Sequence, residues 1–82
     1  MQNTLPSPGV SDLNNRNIKT GIYYVTASIK NMPMETAGFL IVLKRDNTNI
    51  TQFLIRYRDC QLWERQYNTV SSTGWKAWEQ LH

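Results

Sequence analysis

Six residues in the second half of the chain interleave positive charge with aromatic rings: Arg56, Tyr57, Arg58, Trp63, Arg65 and Tyr67, within LIRYRDCQLWERQY. Cations alternating with rings over two adjacent strands form the kind of platform that holds single-stranded nucleic acid, with bases stacked on rings and phosphates on cations. The same rings above a polar rim suit the C–H faces of sugars. A structural explanation competes with both. In a small chain Trp63 and Tyr67 are needed as core filler, with arginine stems lying over them.

Other chemistry finds little footing. The sequence has one histidine, His82, and one cysteine, Cys60. A Ser-His or Cys-His pair therefore cannot form inside the domain, no internal disulfide is possible, and a zinc cage of about four Cys/His ligands has no candidates. The acidic residues Asp12, Glu35, Asp46, Asp59, Glu64 and Glu79 are scattered. Only Glu64 and Glu79, on segments that read as neighbouring strands, offer the paired carboxylates of a glycosidase; two solvated charges beside Arg and Lys partners are the simpler expectation. The glycines are isolated, so no phosphate loop is present. Cys60 sits in a turn without a basic or helix-dipole environment and reads as an inert thiol. The Asn49-Ile-Thr triplet matches a glycosylation acceptor, which matters only in a secreted chain. No catalytic residue, cofactor or metal is expected.

The elements that must position these residues are short. Eighty-two residues make one small domain with a marginal core, and with disulfides and metal set aside, oligomerisation is the remaining way to add burial. The net charge of +3 permits an anionic partner without demanding one. No apolar run approaches the about 18 residues of a membrane helix, and MQNTLPSPGVSD has neither the basic nor the apolar region of a signal peptide, so synthesis in the cytoplasm is expected.

Residues 1–11, with Pro6, Pro8 and Gly9, read as a flexible lead-in, such as joins a module to an upstream domain. Residues 12–82 read as a single β module. Ser11 or Asp12 is placed to cap one helical turn, pinned by Leu13 and Ile18; Asn14, Asn15 and Asn17 argue against a longer helix. IYYVTASI (22–29) is β-branched and aromatic, hence a strand, with Tyr23, Val25, Ala27 and Ile29 on one side. KNMPMETAG is a loop interrupted by Pro33, whose Met32 and Met34 suit either an end cap or a contact to another subunit. FLIVLKR (39–45) is a continuous apolar run, the pattern of a strand covered on both faces. ITQFLIRY (50–57) follows after the turn DNTN and completes a hairpin. QLWERQY (61–67) alternates, with Trp63, Arg65 and Tyr67 on one side. NTVSSTG is a polar loop. WKAWEQL is too short for a stable helix and reads as a closing strand, with either a bulge or Trp75 and Trp78 on opposite faces. The sum is a mostly β fold: a small antiparallel meander of about five short strands, with at most a short N-terminal helical turn.

The order of these pieces resembles the pyocin-knob-type module of phage tail fibres and related tail proteins. The resemblance is carried by Asp12, Leu13 and Asn14; then Thr20, Gly21, Ile22, Tyr23 and Val25; then Gly38 opening the next strand; and the closing W-x-x-W-x-x-L of Trp75, Trp78 and Leu81. It spans residues 12–81. One departure is plain: the proline common before the first glycine is absent, so Thr20 meets Gly21 directly. The resemblance implies a non-enzymatic structural module of a fibre or baseplate-associated tail protein, homotrimeric in its full-length fibre. The reading built on it is a virion tail module acting in host attachment at the cell surface, with bacterial surface carbohydrate, which the aromatic rings suit, as the candidate contact. It brings no general set of receptor-contacting residues. The alternative from the residues themselves is a small basic domain that binds single-stranded nucleic acid.

Overall fold

The computed structural model describes residues 4–68 and 74–82. Five strands form one antiparallel sheet in sequence order: β1 (Gly21–Val25), β2 (Gly38–Asp46), β3 (Asn49–Arg56), β4 (Leu62–Asn68) and β5 (Glu79–Gln80). The chain is all-β among the described residues, a five-strand meander with no helix, as the β-branched, aromatic and apolar runs between polar turns predict. The lead-in residues 1–3 and most of the NTVSSTG loop lie outside the described residues.

The register sorts side chains into two faces. On one, Leu40 pairs with Leu54 and Leu54 with Trp63, while Val42 pairs with Gln52 and Gln52 with Arg65. All six are buried. Among the described residues no second sheet or helix covers this face. Loops do: Leu13 and Ile18 are buried against it, with Val10, Ile29 and Met32 packed around them.

The second face is mostly apolar, and among the described residues no other strand or helix covers it. Its rows run Tyr24, Phe39, Ile55, Leu62 and then Ile22, Ile41, Phe53, Glu64. Ile22 and Leu43 are each 51% exposed. FLIVLKR is therefore covered on one face of the single chain, not on both.

Other sequence expectations are corrected in detail. The strand expected over 22–29 ends at Val25, because Ile29 N–H closes a turn onto the Thr26 carbonyl (3.3 Å) that brings Ile29 back to the core. The DNTN connection tightens to Asn47 and Thr48, with a register shift between Lys44 and Asp46. The Asp46 carboxylate accepts from Thr48 N–H (2.8 Å) and from its hydroxyl. At the N-terminal side the expected helical turn is replaced by Asx turns: Asn14 N–H donates to Asp12 Oδ1 (2.8 Å) and Asn17 N–H to Asn15 Oδ1 (2.9 Å). Side chains that bond the backbone two residues ahead compete with the helical ladder. The described lead-in is tied to the sheet, with Tyr24 N–H donating to the Pro6 carbonyl (2.9 Å).

Gly38 is where β2 enters the sheet, opposite Val25 and Arg56. A Cβ here would fall onto the Ile55 carbonyl oxygen, with Ile55 C and Arg56 Cα also at 3.1 and 3.2 Å. Those are backbone atoms, so relief needs the strands to separate. Gly38→Ala is expected to cost at least about 2 kcal/mol, as overpacking does, measured as a fall in the urea midpoint at unchanged m-value.

Candidate functional site

The inner face carries one charged group deep in the domain, and its surroundings form the candidate site. Arg65 is 6% exposed. Its Nε donates to Gln52 Oε1 (2.9 Å) and its Nη1 to Asn14 Oδ1 (2.8 Å). Gln52, itself buried, donates from Nε2 to the Leu13 carbonyl (2.9 Å). This relay joins β4 to β3 and β3 to the loop that covers them.

Two indoles close over the guanidinium. Arg65 Cζ lies 4.0 Å from the Trp75 ring centroid and 4.7 Å from that of Trp78. Each ring is held by its own N–H: Trp75 Nε1 donates to the Asn14 carbonyl (3.2 Å) and Trp78 Nε1 to the Asn31 carbonyl (2.8 Å). Tyr67 meets Trp75 edge-on at 5.3 Å, and Arg16 lies over Tyr67 at 4.9 Å. Among the described residues Arg65 Nη2 has no hydrogen-bond acceptor; in this setting the ring faces supply its electrostatic complement. Burial pushes the Arg65 guanidinium down to about 10, opposed by the charge of Asp12, so it remains a cation at neutral pH. The Asp12 carboxyl is held below its ordinary value by bonds from Asn14 N–H and the Asn31 side chain, and then by the charges of Arg65 and Lys30.

The closing segment achieves this with a bulge. Tyr67 bridges Trp75 while Glu64 pairs with Glu79, so four steps along the closing segment match three along β4. The extra residue turns Trp75 and Trp78 to the same side, onto Arg65. The closing strand expected over 75–81 is thus reduced to a bridge at Trp75 and the short β5. Leu81, the last position of the closing motif, is exposed, while its N–H donates to the Leu62 carbonyl (2.7 Å).

The six interleaved residues do not form one surface. Trp63 and Arg65 are buried and Tyr67 is half-buried on the inner face. Arg56 is half-buried there too, its Nη1 3.1 Å from Met34 Sδ and its Nε 3.5 Å from the Asp59 carboxylate. Tyr57, 60% exposed, lies edge-on to Phe39 at 6.4 Å on the outer face, and Arg58 is exposed in the turn. The motif residue Gly21 opens β1, and the Tyr23 hydroxyl donates to the Lys19 carbonyl (2.5 Å). Cys60 is exposed in its turn with φ +59°.

Glu64 and Glu79 are register partners, so the two carboxylates do share a neighbourhood. Neither lines the three clefts at Asn31, Phe39 and Trp78. Among the described residues no group of three His, Cys, Asp or Glu gathers as metal ligands, and no helix is long and apolar enough to cross a membrane. The open cleft of about 410 Å³ beside the indoles is lined by Asn14, Asn31, Met32, Lys76 and Ala77 together with Arg65, Trp75 and Trp78. Of its polar groups, Asn14, Arg65 and both indole N–H groups are engaged in the bonds described above.

Sequence reasoning placed the three aromatic and charged residues of β4 on one face but missed the Arg65–Gln52 relay. A signal was present: Gln52 is in phase with Ile50 and Leu54, and Arg65 with Trp63 and Tyr67, so a strict period-two count puts both polar side chains inside.

No family model matches the chain, and neither a curated protein nor a solved structure matches it.

If Trp78 seals the domain, Trp78→Ala loses both the ring over Arg65 and the bond to Asn31. A cost of about 3 kcal/mol is expected, at the low end for truncating a large ring because this one is half-buried. Chemical denaturation measures it; unchanged stability would reassign the indole to ligand contact.

Proposed function

We propose that the chain is a non-enzymatic structural module of a phage or prophage tail fibre or tail protein, homotrimeric in its full-length context and acting in host attachment. One observation supports this above the others: residues that carry the resemblance to the pyocin-knob-type module converge on one joint. Asn14 of the opening motif bonds Trp75 of the closing motif through its carbonyl and Arg65 through its side chain, while Asp12 accepts from Asn31 (2.6 Å), whose carbonyl holds Trp78. Motif residues that lock one end of a chain to the other describe a unit built to hold shape. In a trimeric fibre, repeated weak contacts to surface glycans sum by avidity, so no deep ligand pocket is required of each copy. The protein then resides in the virion tail and works at the bacterial surface.

An antibody raised against this chain is expected to decorate the tail of the particles whose genome encodes it, seen by electron microscopy; particles that stay unlabelled overturn the proposal. In parallel, labelled single-stranded DNA at about 50 mM salt is expected to show no binding. Tight, steeply salt-dependent binding would favour the nucleic-acid alternative instead.

A further inference from the structure

We infer that the outer face of the sheet, centred on Ile22, Tyr24, Phe39, Ile41, Leu43 and Phe53, is the surface through which copies of this chain pack together. The inference rests on the assembly part of the proposed function and gives it a location.

The face has the wrong chemistry for water. An antiparallel sheet with one solvated face alternates apolar-in with polar-out. Here β2 is apolar on both sides, with Leu40 and Val42 buried inward while Phe39 and Leu43 stand 38% and 51% exposed outward. Composition changes at a boundary within the same sheet: Thr51 on β3 and Glu64 and Gln66 on β4 occupy the outer positions at the other end of the rows. The patch is therefore a bounded apolar centre with a polar border, the anatomy of an interface.

Its size fits a copy of the chain. At about 200 Å² for a large side chain, the exposed fractions of Ile22, Tyr24, Phe39 and Leu43, with Leu5 and Tyr57 beside them, amount to roughly 600 Å². The half-buried Ile41, Phe53 and Ile55 add to that. A standard interface takes about 800 Å² from each partner, and single-chain proteins rarely expose a contiguous apolar patch of more than a few hundred.

Several features favour another copy as the occupant. Among the described residues the border mixes signs, with Arg58 exposed in the turn beside Tyr57 and Glu64 and Glu79 paired on β4 and β5, so it presents no purely basic field of the kind that an anionic membrane surface attracts. The net charge of +3 sets only weak repulsion between copies. Edge-to-edge growth is disfavoured at both edges: at β1 the Pro6 carbonyl already takes the Tyr24 N–H, and β5 offers only Glu79–Gln80 to pair with. Face-to-face packing remains, with aromatic and branched side chains interdigitating at the about 10 Å spacing of stacked sheets. Leu5 lines a cleft of about 500 Å³ with Thr4, Tyr24 and Phe39, an opening that a projecting side chain from the next copy can enter.

The test is the mass of the 82-residue chain by light scattering during size-exclusion chromatography, across about 10 µM to 1 mM. The wild-type chain is expected at a multiple of its 9.6 kDa, two- or threefold, rising with concentration. Leu43→Lys and Ile22→Lys are each expected to return it to a single copy, with the tryptophan emission spectrum unchanged because both positions lie outside the core. A third variant, Phe53→Thr, keeps the test open should a lysine disturb the sheet. An assembly whose mass survives all three substitutions overturns this face as the contact while leaving the assembly reading intact. A wild-type chain that remains a single copy at 1 mM overturns both. Failure of tail labelling with assembly through this face overturns the tail assignment alone.

Discussion

Everything on the inner face depends on one constraint: a sheet covered by loops must satisfy the backbone of those loops. A helix or a second sheet arrives with its own hydrogen bonds made, and an apolar face suffices to bind it. A loop brings orphan carbonyls, each costly to bury unpaired. Here Gln52 meets the Leu13 carbonyl, and the Trp75 and Trp78 indoles meet those of Asn14 and Asn31. Arg65 ties the set together by fixing Gln52 from one side and the Asn14 side chain from the other. A buried cation in such a place is expensive by itself. Two charge-assisted hydrogen bonds and two ring faces at 4.0 and 4.7 Å offset its desolvation.

The arrangement also divides labour between the faces. The inner face commits Gln52, Arg65 and the indole N–H groups to holding the covering loops. The outer face contributes almost nothing to closure in the single chain and keeps large apolar side chains in water. A marginal small domain that leaves such a surface bare gains most by assembling, since the apolar area removed from water is the largest stabilising term available to it.

Much of this was legible in the sequence. The five strands and their order follow from β-branched and aromatic runs separated by polar turns, and the side-chain phase of β4 is readable by eye. The strand ends were less so. Thr26, Asp46 and the asparagines from Asn14 to Asn17 each make local bonds that end or replace regular structure, and such competition depends on geometry that a pattern of apolar residues does not encode. The bulge between Trp75 and Glu79 was visible only as an alternative, because an i, i+3 spacing fits a strand only once the partner strand is known. The burial of Arg65 was hidden for a different reason. Its partners are residues 14, 52, 75 and 78, and composition alone assigns an arginine to solvent. Only the combination of strand phase with the far-away loop explains why it is inside.

The central claim is that Gln52 and Arg65 act as one unit holding the covering loop to the sheet. A double-mutant cycle tests it most directly, with Gln52→Leu, Arg65→Met and the pair compared by equilibrium denaturation. The account predicts that each single change strands a buried partner, so the double variant is less destabilised than the two losses added together by at least about 1 kcal/mol. Losses that add to within about 0.3 kcal/mol, the behaviour of independent sites, would contradict it.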